Sequence, residues 1–138
     1  MKVLITGGAG FIGSHLAERH LHMGDQVAII DNLSTGSITN IQHLEDDENF
    51  TILIDDVLNV ELMRQLVADC DLIYHLAAAV GVDLIIDNPL QSLTTNIRGT
   101  EIILELANEK KKKVILASTS EIYGKKNEIG RASCRERV

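Results

Sequence analysis

The stretch TGGAGFIGSHL, Thr6–Leu16, carries Gly7, Gly10 and Gly13 at intervals of three residues. An apolar run, KVLIT, precedes it, and a helical pattern follows. That setting suits a diphosphate held on the free backbone N–H groups of a helix N-terminus. Gly7 would permit the tight turn, Gly10 would let the backbone approach the phosphates, and Gly13 would allow close helix–strand packing. The plainer alternative is a tight turn with no ligand. Asp31 stands 18 positions after Gly13, at the end of a second apolar run. A carboxylate there can accept hydrogen bonds from both hydroxyls of an adenosine ribose and would repel a 2′-phosphate, so NAD is favoured over NADP. A turn or capping aspartate is the alternative for Asp31.

These residues need a strand before the glycines, a helix after them and a second strand ending at the aspartate. The pattern supplies all three. Strands are expected at Lys2–Thr6, Gln26–Ile30, Phe50–Ile54, Asp71–Leu76 and Val114–Ala117. Helical spacing runs over Phe11–Met23, with Gly24 as a stop, over Val60–Val67, and from Pro89 to about Lys110. The stretch DNLSTGSITN is loop-like. Strands alternating with helices indicate an α/β fold, a doubly wound parallel sheet of Rossmann type that ends after about the fifth strand. Lys110–Lys113 reads as a solvated helix C-terminus, where cations favour the macrodipole, in preference to an anion site.

Composition narrows the function further. Apolar residues make up 45% and aromatics only 3%, so the core must be aliphatic. The net charge of −7 opposes nucleic-acid binding, because an acidic chain repels phosphate. No apolar run approaches a membrane span and no signal peptide is visible, which reads as a cytoplasmic protein with no membrane partner. Cys70 and Cys134 form neither a metal spacing nor a disulfide framework, and no metal site is expected.

The last eleven residues, EIGRASCRERV (Glu128–Val138), break the style of the rest, with Arg where the chain otherwise prefers Lys. One back-translation of them, read from its second base, resembles a common short-read sequencing adapter, and the next adapter codon would be a stop. The expectation is therefore an incomplete NAD-binding Rossmann domain over 1–127, a non-native tail over 128–138, and a substrate domain absent from this chain.

The motifs TGGAGFIGSHL, DNLSTG, DDV, HLAA, TNIRGT and STSEIYG occur in that order. With them the chain resembles the extended short-chain dehydrogenase/reductase family, and within it the NAD-dependent nucleotide-sugar epimerases, dehydratases and decarboxylases. The resemblance covers residues 1–127. It implies that Phe11 and Ile12 give backbone N–H groups to the pyrophosphate. Asp31 and Asn32 would face the adenosine ribose, and Asp56 and Val57 would edge the adenine. Leu76, Ala77 and Ala78 would line the cofactor. Asn96 would tie strands together near the active site, or be a structural amide. Thr119 would hydrogen-bond the sugar 4-oxygen, or merely end a strand. Glu121 would take part in chemistry, or be a surface or capping residue. His75 reads as a packed histidine beside the sheet, and His15, His20 and His22 as surface or packing residues.

The resemblance also implies a hydride relay, in which a Tyr removes the 4-OH proton and a Lys four residues later lowers the Tyr pKa. Here Tyr74 and Tyr123 are followed four positions on by Ala78 and Asn127, so that pair is expected beyond Asn127. The parent is expected to be an enzyme and this chain inactive. DNLSTG looks most like a UDP-sugar 4-epimerase, the favoured reading. Thr119-Ser120-Glu121 fits UDP-glucuronate decarboxylases and GDP-mannose 4,6-dehydratases. A non-catalytic NAD-sensing regulator is the alternative class. The expected partners are a nucleotide sugar and, for the parent, a second copy through helices including the one from Pro89.

Overall fold

The computed structural model describes residues 1–79 and 89–118. Its strands are β1 (Lys2–Thr6), β2 (Gln26–Asp31), β3 (Phe50–Ile54), β4 (Leu72–His75) and β5 (Lys113–Leu116). Its helices are α1 (Phe11–His22), α2 (Val60–Asp69) and α3 (Pro89–Lys110). The strands pair in parallel in the order β3-β2-β1-β4-β5. This is the doubly wound α/β arrangement expected from the strand–helix alternation.

The strands sort their side chains by the period of two that a pleated sheet imposes. Val3, Ile5, Val27 and Ile29 pack with Ala17 of α1 on one face. Leu4, Ile30 and Ile73 pack with Met63 and Val67 of α2 and with Ile102, Ile103 and Leu106 of α3 on the other. Both faces are aliphatic, as the composition requires.

Helix boundaries follow from local chemistry. Gly24 takes φ +77° just past α1, a left-handed conformation that glycine adopts without a Cβ penalty, and its N–H reaches the Leu21 carbonyl. Asn59 caps α2 by accepting from the Leu62 amide at 3.3 Å. Pro89 is the first residue of α3, where its missing N–H costs nothing. The lysine run matches its reading as a helix terminus: Lys110 ends α3, and Lys112 Nζ donates to the Ala68 carbonyl near the end of α2 at 3.1 Å.

Several bounds differ from the sequence reading by one or two residues: α1 ends at His22, α2 runs on to Asp69, β4 is Leu72–His75 and β5 is Lys113–Leu116. β2 runs one residue further, through Asp31 itself, because Asp31 pairs in register with Ile54. Within and after the loop-like stretch lie two single 3₁₀ turns, Ile38–Asn40 and Gln42–Leu44, the first capped by the Ser37 side chain. They are too short to leave a helical period. They seat Ile41 and Leu44 in the core beneath α1.

Candidate dinucleotide-binding cleft

A cleft of about 420 Å³ crosses the carboxyl ends of the strands. It lies where the strand order reverses, between β1 and β4, the position at which doubly wound sheets take ligands. Gly7, Gly10, Phe11, Ile12 and Gly13 form its middle. Asp31, Asn32, Asp56 and Val57 lie on the β2–β3 side, and Leu76, Ala77 and Ala78 on the β4 side. Sequence reasoning singled out all of these. It missed Ser34, Thr35, Ser92 and Thr95, which also line the cleft. Thr119 and Glu121 lie outside the described residues, as does the expected domain boundary at Asn127.

Close backbone approach requires glycine at Gly7 and Gly13. Gly7 takes φ +72°, and a Cβ there would lie 2.8 Å from the Ala77 amide nitrogen. A Cβ on Gly13 would collide with the Gly7 carbonyl oxygen and lie 2.7 Å from the Gly8 Cα. At Gly10 a Cβ would meet only the Gly7 oxygen, at 3.3 Å, and would otherwise project into the open approach to the helix.

No side chain caps α1 at Gly10, and no acidic residue stands in its first turn. Among the described residues no acceptor meets the amides of Phe11, Ile12 or Gly13. Uncapped amides at the positive end of a helix dipole suit an anion. At the β4 side, the buried Ser92 hydroxyl has no partner among the described residues. A buried polar atom without a partner is costly, and one lining a cleft is a place for a ligand atom. The residues present thus fit a dinucleotide.

Asp31 is more engaged than its sequence role required. Its Oδ2 accepts from the Ala9 amide at 2.9 Å and its Oδ1 from the Leu33 amide at 2.8 Å. Each oxygen keeps a further lone pair for a ribose hydroxyl. Leu33 is thereby held at φ +58°, a conformation that costs a non-glycine residue energy. A Cβ on Gly36 would lie 3.0 Å from both Asp31 oxygens, so glycine lets the 32–37 loop fold over the carboxylate. The Asn32 amide donates to Asp56 Oδ2 at 2.9 Å, joining the ends of β2 and β3.

Asn96 does not line the cleft. Its side chain makes a paired bond to the backbone of Ala79, accepting from the N–H at 2.7 Å and donating to the carbonyl at 3.2 Å. It therefore ties the loop after β4 to α3, where the sequence reading had it tie strands. His75 is packed at the end of β4, as read. Thr100 Oγ1 donates to the Asn96 carbonyl at 2.8 Å, so it accepts from His75 Nε2 at 3.1 Å. The ring proton is thus on Nε2, and Nδ1 accepts from Thr6 Oγ1 at 2.7 Å. The Thr6 oxygen in turn accepts from the amides of Leu76 and Ala77, at 3.2 Å each.

A second buried network lies at the opposite end of the sheet. His20 Nδ1 meets Asp25 Oδ2 at 2.7 Å, its Nε2 meets the Tyr74 hydroxyl at 3.2 Å, and Asp25 Oδ1 pairs with the Met1 ammonium at 2.6 Å. The hydrogen bond from His20 and the one from the terminal ammonium hold the Asp25 carboxyl below its ordinary range. Burial pushes the Cys70 thiol up to about 11, a structural thiol and not a nucleophile. No group of three metal-ligating side chains occurs among the described residues, and no helix among them is long and apolar enough to cross a membrane.

Fold and cleft together define a Rossmann-type nucleotide-binding chain. Residues 4–136 match the family described as GDP-mannose 4,6 dehydratase. The chain belongs to that family, and so to the short-chain dehydrogenase/reductase group of nucleotide-sugar epimerases and dehydratases. It is 45% identical over 124 residues to UDP-N-acetyl-alpha-D-glucosaminuronate decarboxylase of Bacillus cytotoxicus, covering 90% of this chain and 38% of that one. It is 40% identical over 123 residues to UDP-glucuronic acid decarboxylase 1 of Danio rerio, covering 89% of this chain and 28% of the relative. Among solved structures it resembles UDP-glucose 4-epimerase of Thermus thermophilus in complex with NAD, at 32% identity and TM-score 0.80, over 98% of this chain and 43% of that one. The chain thus spans between 28% and 43% of the length of these relatives.

Proposed function

We propose that the chain is the NAD-holding part of an enzyme that modifies a nucleotide sugar through transient oxidation at C4. The observation that carries this reading is the uncapped start of α1 in the middle of a cleft with Asp31 at one side. The amides of Phe11 and Ile12 would hold the diphosphate, and Asp31 would orient the adenosine ribose with Asn32 beside it. Asp56 and Val57 would border the adenine. Leu76, Ala77 and Ala78 would keep water from the nicotinamide half, with Asn96 fixing the loop behind them. NAD, when bound, supplies a hydride acceptor. Thr119 would hydrogen-bond the sugar 4-oxygen and Glu121 would hold or move a proton. The Tyr and Lys of the relay would come from chain beyond Asn127.

Among the reactions open to the family, decarboxylation of a UDP-uronic acid gains support from the two decarboxylase relatives, at 45% and 40% identity against 32% for the epimerase. Thr119-Ser120-Glu121 also fits it. A keto group at C4 places a C6 carboxylate β to it, and such an acid readily loses CO₂. The 4-epimerase is the second reading, favoured by DNLSTG and by the likeness to the epimerase structure.

The test is an assay of the uninterrupted parent protein with NAD, offering UDP-glucuronate and UDP-glucose separately. Release of CO₂ with a UDP-pentose supports the decarboxylase, and UDP-galactose the epimerase. Turnover of neither, in a protein lacking Tyr-x-x-x-Lys, favours a regulator that senses NAD.

A further inference from the structure

We infer that Asn40, which does not line the cleft, is a positioning residue that keeps the diphosphate-binding end of α1 open. Its Nδ2 donates to the Ala9 carbonyl at 2.8 Å, across 31 residues of sequence. The Ser37 amide donates to the same oxygen at 3.1 Å. The Ala9 amide, on the other side of the residue, is held by Asp31 Oδ2. Ala9 is fully buried, so both ends of it are fixed by the segment from Asp31 to Asn40.

The consequence lies in what the Ala9 carbonyl does not do. In a regular helix the carbonyl of residue i accepts from the amide of residue i+4. For Ala9 that amide is Gly13. The next carbonyl along, Gly10, does take its helical partner, Ser14, at 3.0 Å. Ala9 does not: it precedes the extended N-cap Gly10 (ψ 172°), Ser37 and Asn40 hold its oxygen, and the Gly13 amide, in the third position of the helix, is left without an acceptor among the described residues. The Ala9 carbonyl also shares a peptide plane with the Gly10 nitrogen, so turning it would reorient the entry to α1. Asn40 itself is exposed, and the Ser37 amide still satisfies the Ala9 carbonyl when the Asn40 side chain is removed, so its loss should spare the fold. What it controls is whether the first amides of α1 face a ligand or close onto the chain's own carbonyl.

This inference rests on the NAD reading, and its test separates the two. The 138-residue chain is compared with Asn40→Ala and Asn40→Asp for binding of ADP-ribose, which carries the diphosphate, and of adenosine, which does not. Gly13 amide exchange is followed by NMR without ligand. Both variants are expected to weaken ADP-ribose about tenfold, the scale of one lost charge-assisted contact, while adenosine affinity and the melting temperature hold. Gly13 exchange should slow as the amide finds the freed carbonyl. Equal ADP-ribose affinity, or parallel loss for both ligands, overturns the role of Asn40. Failure of the unmodified chain to bind ADP-ribose at all overturns the NAD reading and this inference with it.

Discussion

Thr6 and His75 are register partners across the β1–β4 pair, and the Thr6 hydroxyl donates to His75 Nδ1 over 2.7 Å. Because that oxygen also accepts from the Leu76 and Ala77 amides, one side chain sets the start of the loop that walls the cleft. Replacing it by valine, of the same shape, leaves His75 Nδ1 and the Ala77 amide without this partner, while the Leu76 amide keeps the Thr6 backbone carbonyl at 3.1 Å. Thr6→Val should cost at least about 2 kcal/mol in urea unfolding, since each such group costs about 1–3 kcal/mol. Thr6→Ser should recover most of the loss.

The same contact makes a pH prediction. Burial holds His75 below its ordinary value of 6.5, so the folded state keeps the ring neutral where the unfolded chain would protonate it. The unfolded state therefore binds more protons, and stability rises with pH in that window. His75 contributes fully above pH 6.5 and loses its contribution as pH falls toward the lower folded value. Melting curves from pH 7 to pH 5 should fall more steeply for the native chain than for His75→Gln, by no more than the one-proton limit of about 1.4 kcal/mol per pH unit. Identical slopes would show that the ring is not held neutral. Asp25, whose carboxyl is held below 3.8, acts in a separate and more acid window, its contribution vanishing as pH drops through the folded value.

Gly13 and Gly24 should respond differently to alanine. A Cβ on Gly13 meets backbone of Gly7 and Gly8 that cannot move aside cheaply, whereas one on Gly24 meets nothing within 4 Å and suffers only its positive φ. Gly24→Ala should cost about 1 kcal/mol and leave NAD affinity unchanged. Gly13→Ala should abolish measurable NAD binding. Titration of both variants by calorimetry decides it.

Asp31→Asn should be worse than the loss of one ribose contact. An amide there presents an N–H to either the Ala9 or the Leu33 N–H, breaking a loop contact as well. NAD affinity should fall more than tenfold, with about 1–2 kcal/mol lost in stability. An unchanged unfolding midpoint would argue that the carboxylate serves the ligand alone.

The 138-residue chain contains no Tyr-x-x-x-Lys. Incubated with NAD and either UDP-glucuronate or UDP-glucose, it should show no turnover. Clear product would mean that another group removes the 4-OH proton.

Much of this molecule is written locally. KVLIT and FTILI are β-branched runs long enough to be strands, and both are found with the expected bounds. Gly24 ends α1 because only a residue at ease with positive φ continues the chain there. The glycine triplet and Asp31 share one cleft, as their spacing implied. What was not legible depends on residues distant in sequence. The Asn40 contact to Ala9 spans 31 positions and the Tyr74 contact to His20 spans 54, and no period or motif marks either. Ser92 and Thr95 sit among the apolar positions of a helix, and only the fold shows that their side of it borders the cleft.

The most direct test is an amide-resolved NMR titration of the 138-residue chain with NAD. The account requires saturable binding, with the largest shifts at Gly10–Gly13, Asp31 and Asn32, and weaker binding of NADP. No saturable binding by the folded chain, or shifts confined to the opposite end of the sheet, would contradict it.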